Sequence, residues 1–157
     1  MAFKVLLVDD SSTMRSVIKR TLEMTQLPFS EFWQAGNGKE AIDLMGEYNI
    51  DLVLTDINMP GITGTEMIER MQTDETLRSI PVVVLSVESG ERRIAELKDK
   101  GVKGHIHKPF TPEKIRDVVC DVLGLNFSRI SDEDIGQIAW RNNLNNDVHD
   151  GNVAHNR

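Results

Sequence analysis

Five short runs rich in apolar residues, at 3 to 8, 31 to 35, 52 to 55, 82 to 85 and 104 to 107, alternate with longer stretches whose apolar residues recur every three or four positions. The short runs are strand-like and the longer period is helical. The alternation therefore predicts an α/β domain in which each crossover between parallel strands is a helix. Met14, Val17, Ile18 and Leu22 mark the first helix, with Ser12 as its predicted cap and Pro28 beyond its end. Ala41, Ile42 and Met45 mark a second over residues 38 to 48, and Met67, Ile68 and Met71 a third over 65 to 73. The fourth, over about 90 to 100, has only Ile94 and Leu97 as main apolar anchors and is expected to be the most loosely held. Thr111 and Pro112 open the fifth as N-cap and first helical residue, and Ile115, Val118, Val119, Val122 and Leu123 complete its stripe. Gly124 stands where a helix stop is expected.

The pattern ends there. Residues 125 to 157 hold three Arg, no Lys, five Asp or Glu, and six Asn after Trp140. Ser131 to Asp134 can cap a short helix through Ile135, Ile138 and Ala139, whereas residues 142 to 157 are too polar to build a core and read as disordered. The expected organisation is one domain over residues 1–124 and a polar tail over 125–157. A formal net charge of -7 without any basic stripe argues against a nucleic-acid surface, which needs clustered Lys and Arg to displace counterions. The tail offers neither the core nor the basic residues of a helix-turn-helix output domain. Cys120 stands alone, so it is read as a small apolar filler, with no disulfide framework and no thiolate cluster for zinc. No apolar run reaches the roughly 18 residues of a membrane span and no basic-then-apolar leader opens the chain, so a cytoplasmic location away from membranes is expected.

Chemistry enters at the ends of the runs. Asp9 and Asp10 follow the first, Asp56 the third, Ser86 the fourth and Lys108-Pro109 the fifth. In an open parallel sheet the ligand crevice lies outside the carboxyl ends of the strands, so these ends bring three carboxylates, a hydroxyl and an ammonium to one pocket. Carboxylates about 5 Å apart repel by roughly 3 kcal/mol per pair at an effective dielectric near 20, so a cation is required among them. A hard divalent ion with oxygen ligands answers that need. Mg²⁺ in particular takes one or two carboxylates directly and keeps other positions for water and phosphate oxygens, and Mn²⁺ can substitute. Lys108 suits a phosphate oxygen, Ser86 adds a hydroxyl donor, and Asp56 is the candidate nucleophile, whose attack on phosphorus gives an acyl phosphate.

Asp9-Asp10, Asp56 with Asn58-Met59-Pro60-Gly61, Gly64, Ser86, and Lys108-Pro109-Phe110 together resemble the signature of the two-component response-regulator receiver domain, over residues 1 to 124. The resemblance implies a flavodoxin-like three-layer sandwich of five βα units with parallel strand order 2-1-3-4-5, the order of the chemotaxis member of the family. It implies phosphorylation of Asp56 by a histidine kinase or histidine phosphotransfer protein, with Mg²⁺ held by Asp10, Asp56 and the Asn58 carbonyl and reached by Asp9 through water. Ser86 and Lys108 would grip the phosphoryl group, and the Lys108-Pro109 bond would be cis. Asn58 and Glu88 resemble the pair at the corresponding places in the chemotaxis regulator, where they would tune dephosphorylation or hold a phosphatase. Two positions depart from the family pattern: Val87 follows Ser86 where a small residue is usual, and His105 stands in place of the switch aromatic that works with Ser86.

The resulting expectation is a single-domain switch that signals by phosphorylation-dependent binding of an output partner, catalysing only its own phosphorylation and dephosphorylation. The alternative within the family is a phosphorelay intermediate that hands its phosphoryl group to a histidine phosphotransfer protein. An aspartate-nucleophile phosphohydrolase would want a second Asp two residues after the first, where Ser11 stands relative to Asp9. A flavin or dinucleotide module would want a phosphate loop after the first strand, where Asp9 and Asp10 would repel the phosphates.

Overall fold

The structure is a computed structural model that describes residues 2–57, 59, 61, 63–87 and 91–125. Its strands are β1 (Phe3–Val8), β2 (Phe29–Ala35), β3 (Leu52–Asp56), β4 (Val82–Ser86) and β5 (Gly104–His107). All pair in parallel in the order β2-β1-β3-β4-β5. The helices are α1 (Ser12–Met24), α2 (Gly38–Glu47), α3 (Gly64–Gln72), α4 (Glu91–Asp99) and α5 (Pro112–Leu123). This is the expected flavodoxin-like architecture.

Alternation along the strands divides the core into two layers. Leu6, Val8, Val53 and Val84 face Met67, Met71 and Leu97 on one side of the sheet, where α2, α3 and α4 lie. Val5, Leu7, Leu52, Leu54 and Leu85 face Ile18, Leu22, Ile115 and Val119 of α1 and α5 on the other. Because both faces are covered, β1, β3 and β4 are nearly continuous apolar runs, and each fully buried Leu, Ile or Met contributes about 1.5–3 kcal/mol. Cys120 is buried in the second layer, as its filler role requires, and burial raises its thiol pKa.

The element ends depart from the sequence expectation in specific places. β2 begins two residues early because the Pro28 carbonyl accepts from Phe3 N at 2.7 Å and Phe29 is already buried. The cap of α1 is Ser11 rather than Ser12: its Oγ accepts from Met14 N at 3.1 Å, and Ser12 is already helical. Thr63 caps α3, which starts at Gly64, and a 3-10 turn at Leu77–Ser79 that the periodicity does not announce buries Leu77 beside it. The end of α5 is as expected. Gly124 adopts φ 71°, and the Gly124 and Leu125 amides bond to the Asp121 and Cys120 carbonyls, which closes a Schellman motif.

Leu97 is the one fully buried apolar side chain of α4 among those described. Polar ties to α3 add to it: Arg93 Nη2 donates to Thr65 Oγ1 at 3.2 Å, and Lys100, just past the helix end, pairs with Glu69 at 2.5 Å. No helix among the described residues is long and apolar enough to cross a membrane. The expectations for a short helix after Ser131 and for disorder from residue 142 lie outside the described residues.

Candidate functional site

The β1–α1 turn is locked by its own polar groups. Asp9 Oδ1 accepts from Ser11 N at 2.9 Å, Ser11 then caps α1, and one turn into that helix Arg15 donates Nη1–H to the Asp9 carbonyl. Arg15 is held in turn by Gln34 of β2, Nε to Oε1 at 3.0 Å. These bonds leave Asp9 buried and Asp10 exposed at the end of β1.

Asp56 enters from the neighbouring strand. Thr55, fully buried, donates its hydroxyl to the Asp56 carbonyl at 2.8 Å, and Gly64 N donates to Ile57 O at 2.9 Å, which draws the start of α3 against the peptide after Asp56. One carboxylate oxygen from each of Asp9, Asp10 and Asp56 lies within 4.8 Å of the others. Lys108, on the turn after β5, places Nζ 3.8 Å from both Asp9 Oδ2 and Asp56 Oδ2. Its backbone N–H continues the ladder by donating to Ser86 O at 2.9 Å, and the Lys108–Pro109 peptide is cis.

Burial raises the Asp9 pKa above 3.8 and the Asp56 carboxylate raises it further, while the Ser11 N–H and the Lys108 ammonium pull it down. An acid with a raised folded pKa binds its proton more tightly in the native state. The stability it contributes is therefore greatest at low pH and falls as pH rises from 3.8 through the raised value. In EDTA near pH 7, Asp9→Asn should consequently be more stable than wild type by on the order of 1 kcal/mol, because it removes two close carboxylate repulsions against one ammonium attraction. Melting both proteins across the acid range checks this: the wild-type curve should decline with pH relative to the variant, and parallel curves would contradict the strain.

Ser86 is buried at the end of β4, with Oγ 3.0 Å from His105 Nε2. The His105 ring thus stands against the Ser86 hydroxyl in this structure. His107 bonds through Nε2 to the Val87 carbonyl at 2.9 Å, and the Val87 side chain is 69% exposed. Asp9, Asp10, Asp56, Ser86, Lys108 and His105 therefore gather at the carboxyl edge of the sheet. Asn58 and Glu88 lie outside the described residues. Sequence reasoning missed Arg15, Thr55 and the steric part of Gly64; the first two carry no local signal because each donates to a backbone carbonyl and the side-chain partner of Arg15, Gln34, lies on another strand.

Three carboxylates with one ammonium form an oxygen-donor set that fits a hard divalent cation and leaves room for anionic oxygens near Lys108. Residues 5–120 match the response regulator receiver domain family. The chain is 36% identical over 122 residues to a chemotaxis protein CheY homolog of Campylobacter jejuni, covering 77% of this chain and 92% of that one. It is likewise 36% identical over 116 residues to chemotaxis protein CheY of Pseudomonas aeruginosa, covering 74% and 92%. Among solved structures, chemotaxis response regulator CheY4 of Vibrio cholerae superposes with a TM-score of 0.71 at 30% identity, over 78% of this chain and all of that one. A carboxylate cluster with a lysine on this sheet order, matched by a family over most of the chain's length, has one reading: the chain belongs to the response regulator receiver domain family.

Proposed function

We propose that the protein is a phosphorylation-activated switch of a two-component system, accepting a phosphoryl group on Asp56 from a histidine kinase and signalling by binding an output partner. The observation that carries this reading is Lys108 Nζ, 3.8 Å from Asp56 Oδ2 in a pocket of three carboxylates, a charge placed where a phosphoryl oxygen would come. Asp56 Oδ attacks phosphorus; the new O–P bond forms as the N–P bond of the donor phosphohistidine breaks, and its electron pair returns to the imidazole nitrogen, which takes a proton. Lys108 and the Ser86 hydroxyl hold the phosphoryl oxygens. Asp10, Asp56 and the Asn58 carbonyl would hold a Mg²⁺ ion, with Asp9 reaching it through water, and the bound ion would supply charge neutralisation for the transferring group. Water later cleaves the phosphoryl from Asp56, at a rate set by Asn58 and Glu88. The receiver spans residues 1–124 and the remainder is an appendage. The similarity to the chemotaxis regulators supports a diffusible, single-domain mode of output.

Incubation with acetyl phosphate and Mg²⁺ should add one phosphoryl group, seen by intact mass, and EDTA should suppress it. Steady turnover of a simple phosphomonoester, or no uptake with Mg²⁺ present, would overturn the reading.

A further inference from the structure

We infer that Arg15 and Gln34 are positioning residues for Asp10: their clamp on the Asp9 carbonyl, reaching in from α1 and β2, sets the Asp10 carboxylate in place for a divalent cation. The inference rests on the reading of the acidic pocket as a Mg²⁺ site, and it adds two residues that touch neither the ion nor the phosphoryl group.

Residues 9 to 11 join β1 to α1 and belong to neither element. Asp10 is the middle one and is exposed, so packing does little to fix it, and its place depends on the two peptides that flank it. The peptide after it is held because Ser11 N donates to Asp9 Oδ1 at 2.9 Å. The peptide before it is held by Arg15, whose Nη1–H donates to the Asp9 carbonyl. A peptide unit is planar, so fixing that carbonyl also fixes the direction of the Asp10 N–H and the position of its Cα.

The guanidinium is itself held from another strand. Arg15 Nε–H donates to Gln34 Oε1 at 3.0 Å. Register brings Gln34 there: it pairs with Leu7 in the β1–β2 ladder, and Asp9 N continues that ladder by donating to Ala35 O at 3.1 Å. Alternation puts Gln34 on the same side of β2 as Phe32, which packs in the layer of α1. One planar fork thus ties β1, α1 and β2 together at the point where the first acidic residues leave the sheet.

The bond between Arg15 and Gln34 is exposed, so it adds little to stability, and its worth lies in preorganisation. A carboxylate already aimed at the site has less freedom to lose when the cation arrives. Charge alone predicts the opposite sign. A guanidinium bonded to the Asp9 peptide repels a divalent cation, so by the field its removal would tighten Mg²⁺ binding, whereas removal of a positioning group weakens it.

Titration with Mg²⁺ alone, followed by ¹H–¹⁵N spectra, measures the affinity. Arg15→Met, which keeps an apolar stem without the donors, should bind about tenfold more weakly than wild type. Gln34→Leu should weaken binding by a smaller factor and add nothing in the Arg15→Met background, because it acts through Arg15. Gln34→Glu still offers an oxygen to Nε–H and should stay within about twofold of wild type. Unchanged or tighter binding by Arg15→Met, or losses that add in the double variant, would overturn the inference. So would a lower melting temperature in EDTA at wild-type affinity, the mark of a merely structural arginine. Should Arg15→Met not fold, the exposed Gln34 decides, and equal affinities for Gln34→Leu and wild type overturn the clamp. A wild type that binds no Mg²⁺ removes the reading of the pocket and this inference with it, whereas wild-type binding that every variant shares removes the inference alone.

Discussion

Asp56→Asn is expected to take up no phosphoryl group under conditions in which the wild type is modified by acetyl phosphate. An amide oxygen is too weak a nucleophile to open phosphorus, and the substitution leaves shape and the Thr55 contact to the Asp56 carbonyl in place, so loss of fold is not the cause. The neighbouring carboxylates cannot replace it. Asp9 is buried, already accepts from Ser11 N, and binds its proton more tightly than a free carboxyl. Asp10 is exposed, with no Lys108 contact comparable to the 3.8 Å that Asp9 and Asp56 have among the described residues. Asp10→Asn should therefore slow uptake while the acyl phosphate still maps to Asp56 after trapping with borohydride, which reduces an aspartyl phosphate to homoserine. A phosphoryl group retained by Asp56→Asn, at Asp10 or on a His or Ser, would remove Asp56 from its role.

A second large effect is expected at a residue that carries no charge and no side chain. A Cβ on Gly64 would sit 2.3 Å from the Asp56 carbonyl oxygen and 2.9 Å from Ile57 Cα, both backbone atoms that no rotamer change can move. Gly64→Ala must push α3 away from the end of β3 or tilt the strand end that carries Asp56. Overpacking of this kind costs about 1–3 kcal/mol, so a fall in melting temperature of roughly 5 to 15 °C is expected, together with slower phosphorylation because the carboxylate leaves its place beside Lys108. Gly46 is the control. A Cβ there meets nothing within 4 Å, and within α2 alanine should stabilise by about 0.5–1 kcal/mol. Equal melting temperatures for the two variants would mean that the close approach at Gly64 carries no constraint.

The residues at the strand ends were legible because the sheet rule needs only the apolar runs and the residues just after them. Asp9, Asp10, Asp56, Ser86 and Lys108 each stand at such a place, and the structure puts all five at one edge. Three kinds of detail were not legible. Where neighbouring residues are chemically alike, as with Ser11 and Ser12, composition cannot choose the cap, and the geometry of the Asp9 turn decides it. Where a contact depends on register, no local pattern announces it. The bond between Ser86 and His105 goes with the pairing of Val84 with His105, and that register is not written in either strand alone. The start of β2 was hidden for a third reason. As an edge strand it carries Ser30, Glu31 and Gln34, which thin its apolar signal.

The slender seating of α4 has a consequence for how the molecule can transmit a signal. Apart from Leu97, the contacts described for this helix are polar and lie near solvent, so water can replace each of them at small net cost when the helix shifts. Two positions of such an element would differ by little free energy, so a small bias would redistribute them. A bias of about 1.4 kcal/mol, the scale of one hydrogen bond made or lost at Ser86, then changes the ratio of the two populations tenfold. A helix clamped by a full apolar stripe, such as α5 with Ile115 and Val119 fully buried, would barely register the same bias. Weak packing would thus give α4 its gain, and larger apolar side chains in the pocket that Ile94, Leu97 and His105 line should make a sturdier protein whose α4 responds less to a change at Ser86.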